Sequence, residues 1–180
     1  TILLVALVVV AEARAAEAVR TMYYHDWHVL GPFPNEDDKG IAAVYPPERA
    51  VELDGYFTGI NNASIRWRRI LGQGEPAYRG GPVNLRDLLG AKASACAYAF
   101  ATIRSERERR VSLLLGADGS AFAWVNGKRM LAREGQQPAQ HDAHALDVTL
   151  QKGENTVLLK FCRTGGGPWT YYARLDAPPD

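Results

Sequence analysis

Cysteine, charge of one sign, long apolar runs and helical periodicity are all scarce in this chain, and each scarcity excludes a class of protein. Two cysteines in 180 residues cannot make a disulfide-dense mini-scaffold, and the absence of C-x-x-C or H-E-x-x-H leaves no zinc-site spacing. The 21 basic and 20 acidic side chains leave a formal charge of +1, which supplies no long-range field to draw in nucleic acid or an anionic membrane. No apolar run reaches the roughly 20 residues that span a bilayer. There is no G-x-S-x-G elbow, no phosphate-cradling glycine loop and no Cys/His signature. Among the 20 acidic residues nothing singles out a glycosidase pair. What is present, 47% hydrophobic and 23% charged residues with 17 glycines and 10 prolines, is the composition of one turn-rich globular domain.

The chain opens on an unbroken apolar run from Thr1 to Ala11 and then turns to small and charged residues from Glu12 to Ala18. That is the layout of a secretory signal, with Ala13/Ala15 and Ala16/Ala18 as cleavage sites. Residues 1–18 are expected to be a signal remnant that lacks its Met and basic start, and residues 19–176 the domain. Residues 177–180, with Pro178-Pro179, are expected to begin a linker to downstream domains. No cysteine ends the apolar run to accept an acyl chain. The expected destination is therefore secreted or periplasmic, with no membrane contact after cleavage.

Past Val19, short β-rich runs bounded by turn residues predominate. They predict strands at residues 27–30, 65–70, 97–104, 110–116, 121–126, 145–150, 156–163 and 169–175, an all-β sandwich of about eight strands. The one helical piece is Leu85-Arg86-Asp87-Leu88-Leu89, stopped by Gly90. Asn126-Gly127 accepts positive φ at both central positions of a tight turn and so predicts a hairpin from 121–125 to 129–131. Gln151 to Asn155 predicts a turn between two more antiparallel strands. The alternating charges from Arg104 to Arg110 read as a solvated connection, and Asp118-Gly119 as a turn.

Taken in order, Ala97 to Thr102, Val111 to Gly116, Trp124-Val125-Asn126-Gly127-Lys128, Leu146 to Leu150 and Gly153-Glu154-Asn155-Thr156-Val157-Leu158-Leu159-Lys160 resemble the galactose-binding-like jelly roll. This is the sugar-binding β-sandwich attached to many glycoside hydrolases and found among carbohydrate-binding modules. The opening Trp27 to Pro34 and Tyr45-Pro46-Pro47-Glu48 also look like such modules in large secreted bacterial proteins. The resemblance covers roughly residues 25–175. It implies a two-sheet jelly-roll sandwich and, less directly, a non-catalytic module that holds a larger exported protein near a glycan. A structural or protein-interaction sandwich is the alternative.

A sugar site needs an aromatic face for the apolar side of a pyranose and amide, carboxylate or guanidinium groups for its hydroxyls. The sequence points to Trp169 and Tyr171, delivered onto the last strand by the bulk-free loop Gly165-Gly166-Gly167-Pro168, with Arg163 as hydroxyl donor. Strand alternation puts Tyr172 on the opposite face. Trp124 reads as core, and Trp67 as a buried ring with solvated Arg66 and Arg68 behind it. A near-neutral chain suits a neutral glycan met by aromatic faces. His25/His28 and His141/His144 repeat a His-Asp-x-His pattern, but three-residue spacing aligns ligands only on a helix, so both read as loop histidines. No cofactor is expected, although the resemblance allows a structural calcium, for which Asn35-Glu36-Asp37-Asp38 is an oxygen-rich loop. It also implies that the strand starting at 97 runs antiparallel to the strand ending at 163. This brings Cys96 near Cys162 as either a disulfide or two separate buried thiols.

Overall fold

The computed structural model describes residues 26–71, 82–91 and 93–176. The expected signal segment at 1–18 and the linker start at 177–180 lie outside them, as does His25. The described residues form an all-β sandwich whose strands are β1 (Asp26–Pro34), β2 (Tyr56–Thr58), β3 (Ser64–Arg66), β4 (Arg68–Leu71), β5 (Val83–Asn84), β6 (Ala95–Ser105), β7 (Arg109–Ala117), β8 (Ser120–Val125), β9 (Lys128–Arg133), β10 (His144–Leu150), β11 (Gly153–Arg163) and β12 (Thr170–Asp176). A six-stranded sheet, β4-β1-β6-β11-β8-β9, faces a four-stranded one, β10-β7-β12-β5, and β2-β3 is a separate ribbon.

All eight predicted strands are present. The 65–70 prediction divides at Trp67 into β3 and β4, and the two short strands β2 and β5 carry no sequence pattern long enough to announce them. The helix α1 (Leu85–Leu89) forms as expected. Asn84 caps it by accepting a hydrogen bond from the Asp87 N–H at 3.2 Å, and Gly90 ends it at φ 63°. Asn126 and Gly127 hold φ 49° and 75° and close the β8–β9 hairpin. The turn at 151–155 differs from expectation: β10 pairs with β7, whereas β11 pairs with β6 and β8, so the chain crosses here from one sheet to the other. Turn residues dictate a reversal, and only the burial of both flanking strands decides that it spans the sandwich.

The inner core is built on complementary sizes. β6 offers Ala95, Ala97, Ala99 and Ala101 inward, and the space goes to Trp27, Leu113, Leu115, Phe161, Trp169 and Tyr171. The outer face of the six-stranded sheet carries a second apolar layer, Leu30, Cys96, Tyr98, Phe100, Phe122, Leu158 and Cys162, covered in part by Phe33, Ile41 and Trp67. This layer explains why β6 and β11 read as almost continuously apolar: both of their faces are buried. Cys96 and Cys162 are register partners on β6 and β11 and are joined by a disulfide. Gly40 lies against it, since a Cβ there would come within 2.4 Å of Cys96 Sγ.

The segment between β1 and β4 is held onto this outer face by polar anchors. Lys160, 0% exposed, donates to the carbonyls of Ile41 at 3.0 Å and Ala43 at 2.5 Å and to Glu48 Oε1 at 2.8 Å. Tyr98 also donates to Glu48, and Tyr45 donates to the Pro34 carbonyl. Asn155 is equally structural. Its amide donates to the Gln151 carbonyl at 2.9 Å and its oxygen accepts from the Gln151 N–H at 2.8 Å, which ties the crossing turn. Asp118, read as a turn residue, is buried and accepts from the N–H groups of Ala139 at 2.8 Å and Thr170 at 2.9 Å.

Candidate functional site

The residues singled out for sugar contact at the C-terminus do not form an accessible site. Trp169 is 1% exposed and Tyr171 0%. Tyr171 stacks on Phe161 with centroids 4.6 Å apart and meets Trp27 edge-on at 6.0 Å. Burial pushes its phenol well above the usual range. A pyranose cannot reach either ring, and the assignment is corrected on that ground: area burial outweighs display for a large ring on an inward strand position. Arg163 sits over the glycine loop, where a Cβ at Gly167 would fall 2.0 Å from its Nη2. A side chain at Gly167 would displace this guanidinium. Tyr172 does face outward, half-buried, with His141 edge-on at 5.3 Å.

The remaining expectations divide. Trp124 is half-buried in the outer layer, edge-on to Phe122 at 5.8 Å, and lies outside the inner core. His141 Nδ1 lies 3.2 Å from Asp142, whose carboxylate accepts from Arg174 Nη2 at 2.6 Å. His144 is the first residue of β10, in register with Leu115 of β7, a strand position where a loop was expected. In the acidic loop, Asp38 accepts from Thr164, and Asn35 accepts from the Gly40 N–H at 2.9 Å while donating to the Arg163 carbonyl at 3.1 Å. Among the described residues no three His, Cys, Asp or Glu side chains gather as a metal site. No helix among them is long and apolar enough to cross a membrane.

An accessible site lies instead on the outer side, where β2 and β3 pair. Tyr56 stands opposite Arg66, Phe57 opposite Ile65 and Thr58 opposite Ser64. Alternation sends Phe57 and Ile65 into the outer apolar layer and leaves Tyr56, Thr58, Ser64 and Arg66 on the solvent side. Tyr56 is 73% exposed, so its ring has no packing duty. Next to this ribbon is a cleft of about 570 Å³ lined by Gly31, Tyr56, Ser64, Ile65, Arg66, Trp67, Arg68 and Arg69. That volume falls within the roughly 300–1,000 Å³ of small-ligand sites. Trp67 packs on Phe100 with centroids 6.2 Å apart, and its buried indole N–H has no hydrogen-bond partner among the described residues. Arg68 Nη1 donates to the Leu88 carbonyl at 2.7 Å, which fixes one wall of the cleft.

Sequence reading placed Trp67 and its flanking arginines in one strand with the ring buried. It missed Tyr56, because a three-residue strand between glycines and turns gives no periodic signal.

The chain matches no protein-family profile and no curated protein by sequence. Among solved structures it is similar to a putative beta-galactosidase from Bacteroides fragilis, at 18% identity and a TM-score of 0.43, over 85% of this chain and 23% of that one. It is similar to a family 35 carbohydrate binding module from Clostridium thermocellum at 13% identity and a TM-score of 0.33, over 47% of this chain and 71% of that one. It is also similar to a beta-glucosidase from Kluyveromyces marxianus at 14% identity and a TM-score of 0.40, over 48% of this chain and only 11% of that one. The class defined by the structure itself is a two-sheet, all-β sandwich domain with a second apolar layer on one outer face.

Proposed function

We propose that this chain is a non-catalytic carbohydrate-binding-type module of an exported, multidomain protein, and that its sugar site is the outer cleft beside Tyr56. The observation that carries this reading is the Tyr56–Arg66 pair. It places an aromatic face with no role in the core directly across the ribbon from Arg66, beside a cleft that also offers the Ser64 hydroxyl. The residues that carry the resemblance to galactose-binding-like domains lie mainly on the strands of the two facing sheets and their turns, outside the β2–β3 ribbon. The signal-like start and the Pro-Pro end of the sequence support export and linked domains.

A second reading, a structural or protein-interaction sandwich without a sugar site, is favoured by the burial of Trp169 and Tyr171. Affinity electrophoresis of the purified chain through gels containing a panel of neutral and charged polysaccharides separates the two. Retention by at least one polysaccharide, lost in Tyr56→Ala, is expected. No retention in any gel, or retention that Tyr56→Ala leaves unchanged, would overturn the assignment and favour the second reading.

A further inference from the structure

The Cys96–Cys162 bridge lies in the apolar layer on the outer face of the six-stranded sheet, so the inner core does not cover its sulfurs. Both cysteines are nonetheless buried. What lies over them is the 3-10 segment Glu36–Ile41, which packs across β6, β8 and β11. Its buried Gly40 sits so close to the bridge that a Cβ would fall 2.4 Å from Cys96 Sγ and 2.6 Å from Asn35 Oδ1. The segment belongs to no strand, and separate anchors hold it down. Lys160 donates to the Ile41 and Ala43 carbonyls and to Glu48, Asn35 holds the Gly40 N–H and the Arg163 carbonyl, and Thr164 donates to Asp38. The cysteines themselves stand on a continuous ladder that runs from Gly153 opposite Ser105 to Arg163 opposite Ala95. Cover and ladder therefore differ in what opening costs: the cover breaks few hydrogen bonds and exposes little surface when it lifts, and the ladder can stay closed meanwhile.

We propose that residues 35–48 are a gate over the Cys96–Cys162 bridge, latched by Lys160, and that a thiol reaches the sulfurs by detachment of this gate and not by unfolding of the sandwich. The chemistry behind the gate is ordinary thiol exchange with a dithiol reductant. Its thiolate attacks one sulfur, the S–S bond breaks as a mixed disulfide forms, and the other cysteine leaves as a thiolate. The second thiol of the reductant then closes on the first and frees the remaining cysteine, so two electrons pass to the bridge and the reductant ends as a disulfide. The gate keeps the bridge from exchanging with thiols as long as Lys160 holds it shut.

The test follows release of the two thiols when the folded, purified chain is held in excess dithiothreitol at neutral pH, in urea from zero to the onset of unfolding. The parent should react far more slowly than oxidised glutathione, an exposed disulfide. Its rate should change little with urea until global unfolding takes over, because gate opening exposes little surface. Lys160→Met removes the latch, whereas Trp169→Ala costs a similar amount of stability in the inner core. Without urea, Lys160→Met should be reduced faster than Trp169→Ala by about tenfold or more. If Lys160→Met does not fold, Gly40→Ala, whose methyl group pushes the cover off the sulfur, takes its place with the same expectation. A parent rate that rises from zero urea with the full slope of global unfolding overturns the gate. Equal acceleration by the latch variant and Trp169→Ala also overturns it, as does a parent reduced as fast as oxidised glutathione.

Discussion

Lys160 Nζ lies 2.8 Å from Glu48 Oε1, joining the centre of the six-stranded sheet to the segment that covers its outer face. Burial pushes the lysine below its usual range while Glu48 pulls it back toward the charged form. Lys160→Met should destabilise the domain by about 3–5 kcal/mol, because it leaves the Glu48 carboxylate without its cation and the Ile41 and Ala43 carbonyls without this donor. The double variant Lys160→Met/Glu48→Gln should recover part of that loss. Urea unfolding of both variants checks this, and equal losses would show that the pair is not coupled.

The Cys96–Cys162 bridge closes a sequence separation of 66 residues. In the chain-entropy description a loop of that length is worth about 4 kcal/mol. Reduction should lower the melting temperature markedly, and the unreduced, denatured chain should expose no reactive thiol. Two reactive thiols would show that the bridge is absent.

Trp169 fills the inner core beside the four alanines of β6. Trp169→Ala should cost about 3–5 kcal/mol through the cavity it leaves. By contrast Tyr56→Ala, at an exposed position, should change stability by less than about 0.5 kcal/mol. Thermal melts of the two variants should therefore differ widely, and similar melts would contradict the burial assigned here.

The Asp142 carboxyl is held below its usual range, chiefly by its hydrogen bonds from Arg174. A folded-state value below the unfolded one means that this contribution is complete above the unfolded carboxylate range. It is lost as pH falls through the folded value. Arg174→Met should therefore be less stable than the parent near neutrality, with the gap narrowing as both are taken below about pH 3. A gap that stays constant with pH would assign the loss to packing alone.

Much of the scaffold was legible because its signals are local. Asn126-Gly127 can close only a tight hairpin, Gly90 stops a short helix, and the long β-rich runs of β6, β7 and β11 leave little choice of backbone. The site was not legible for a matching reason. Trp169 and Tyr171 look like a display in sequence, but a strand position does not say which face is wet. Tyr56 lies on a strand too short to show a period at all.

The sequence by itself determined an all-β chain with its turns in place, because φ preferences and alternation act between near neighbours. Tertiary structure alone decided that β10 and β11 belong to different sheets, that β6 and β11 are buried on both faces, and that Trp169 and Tyr171 are sealed in the core while Tyr56 stands exposed beside a cleft. Those outcomes depend on which surfaces meet across the fold. Burial is a property of that meeting, and no window of sequence contains it.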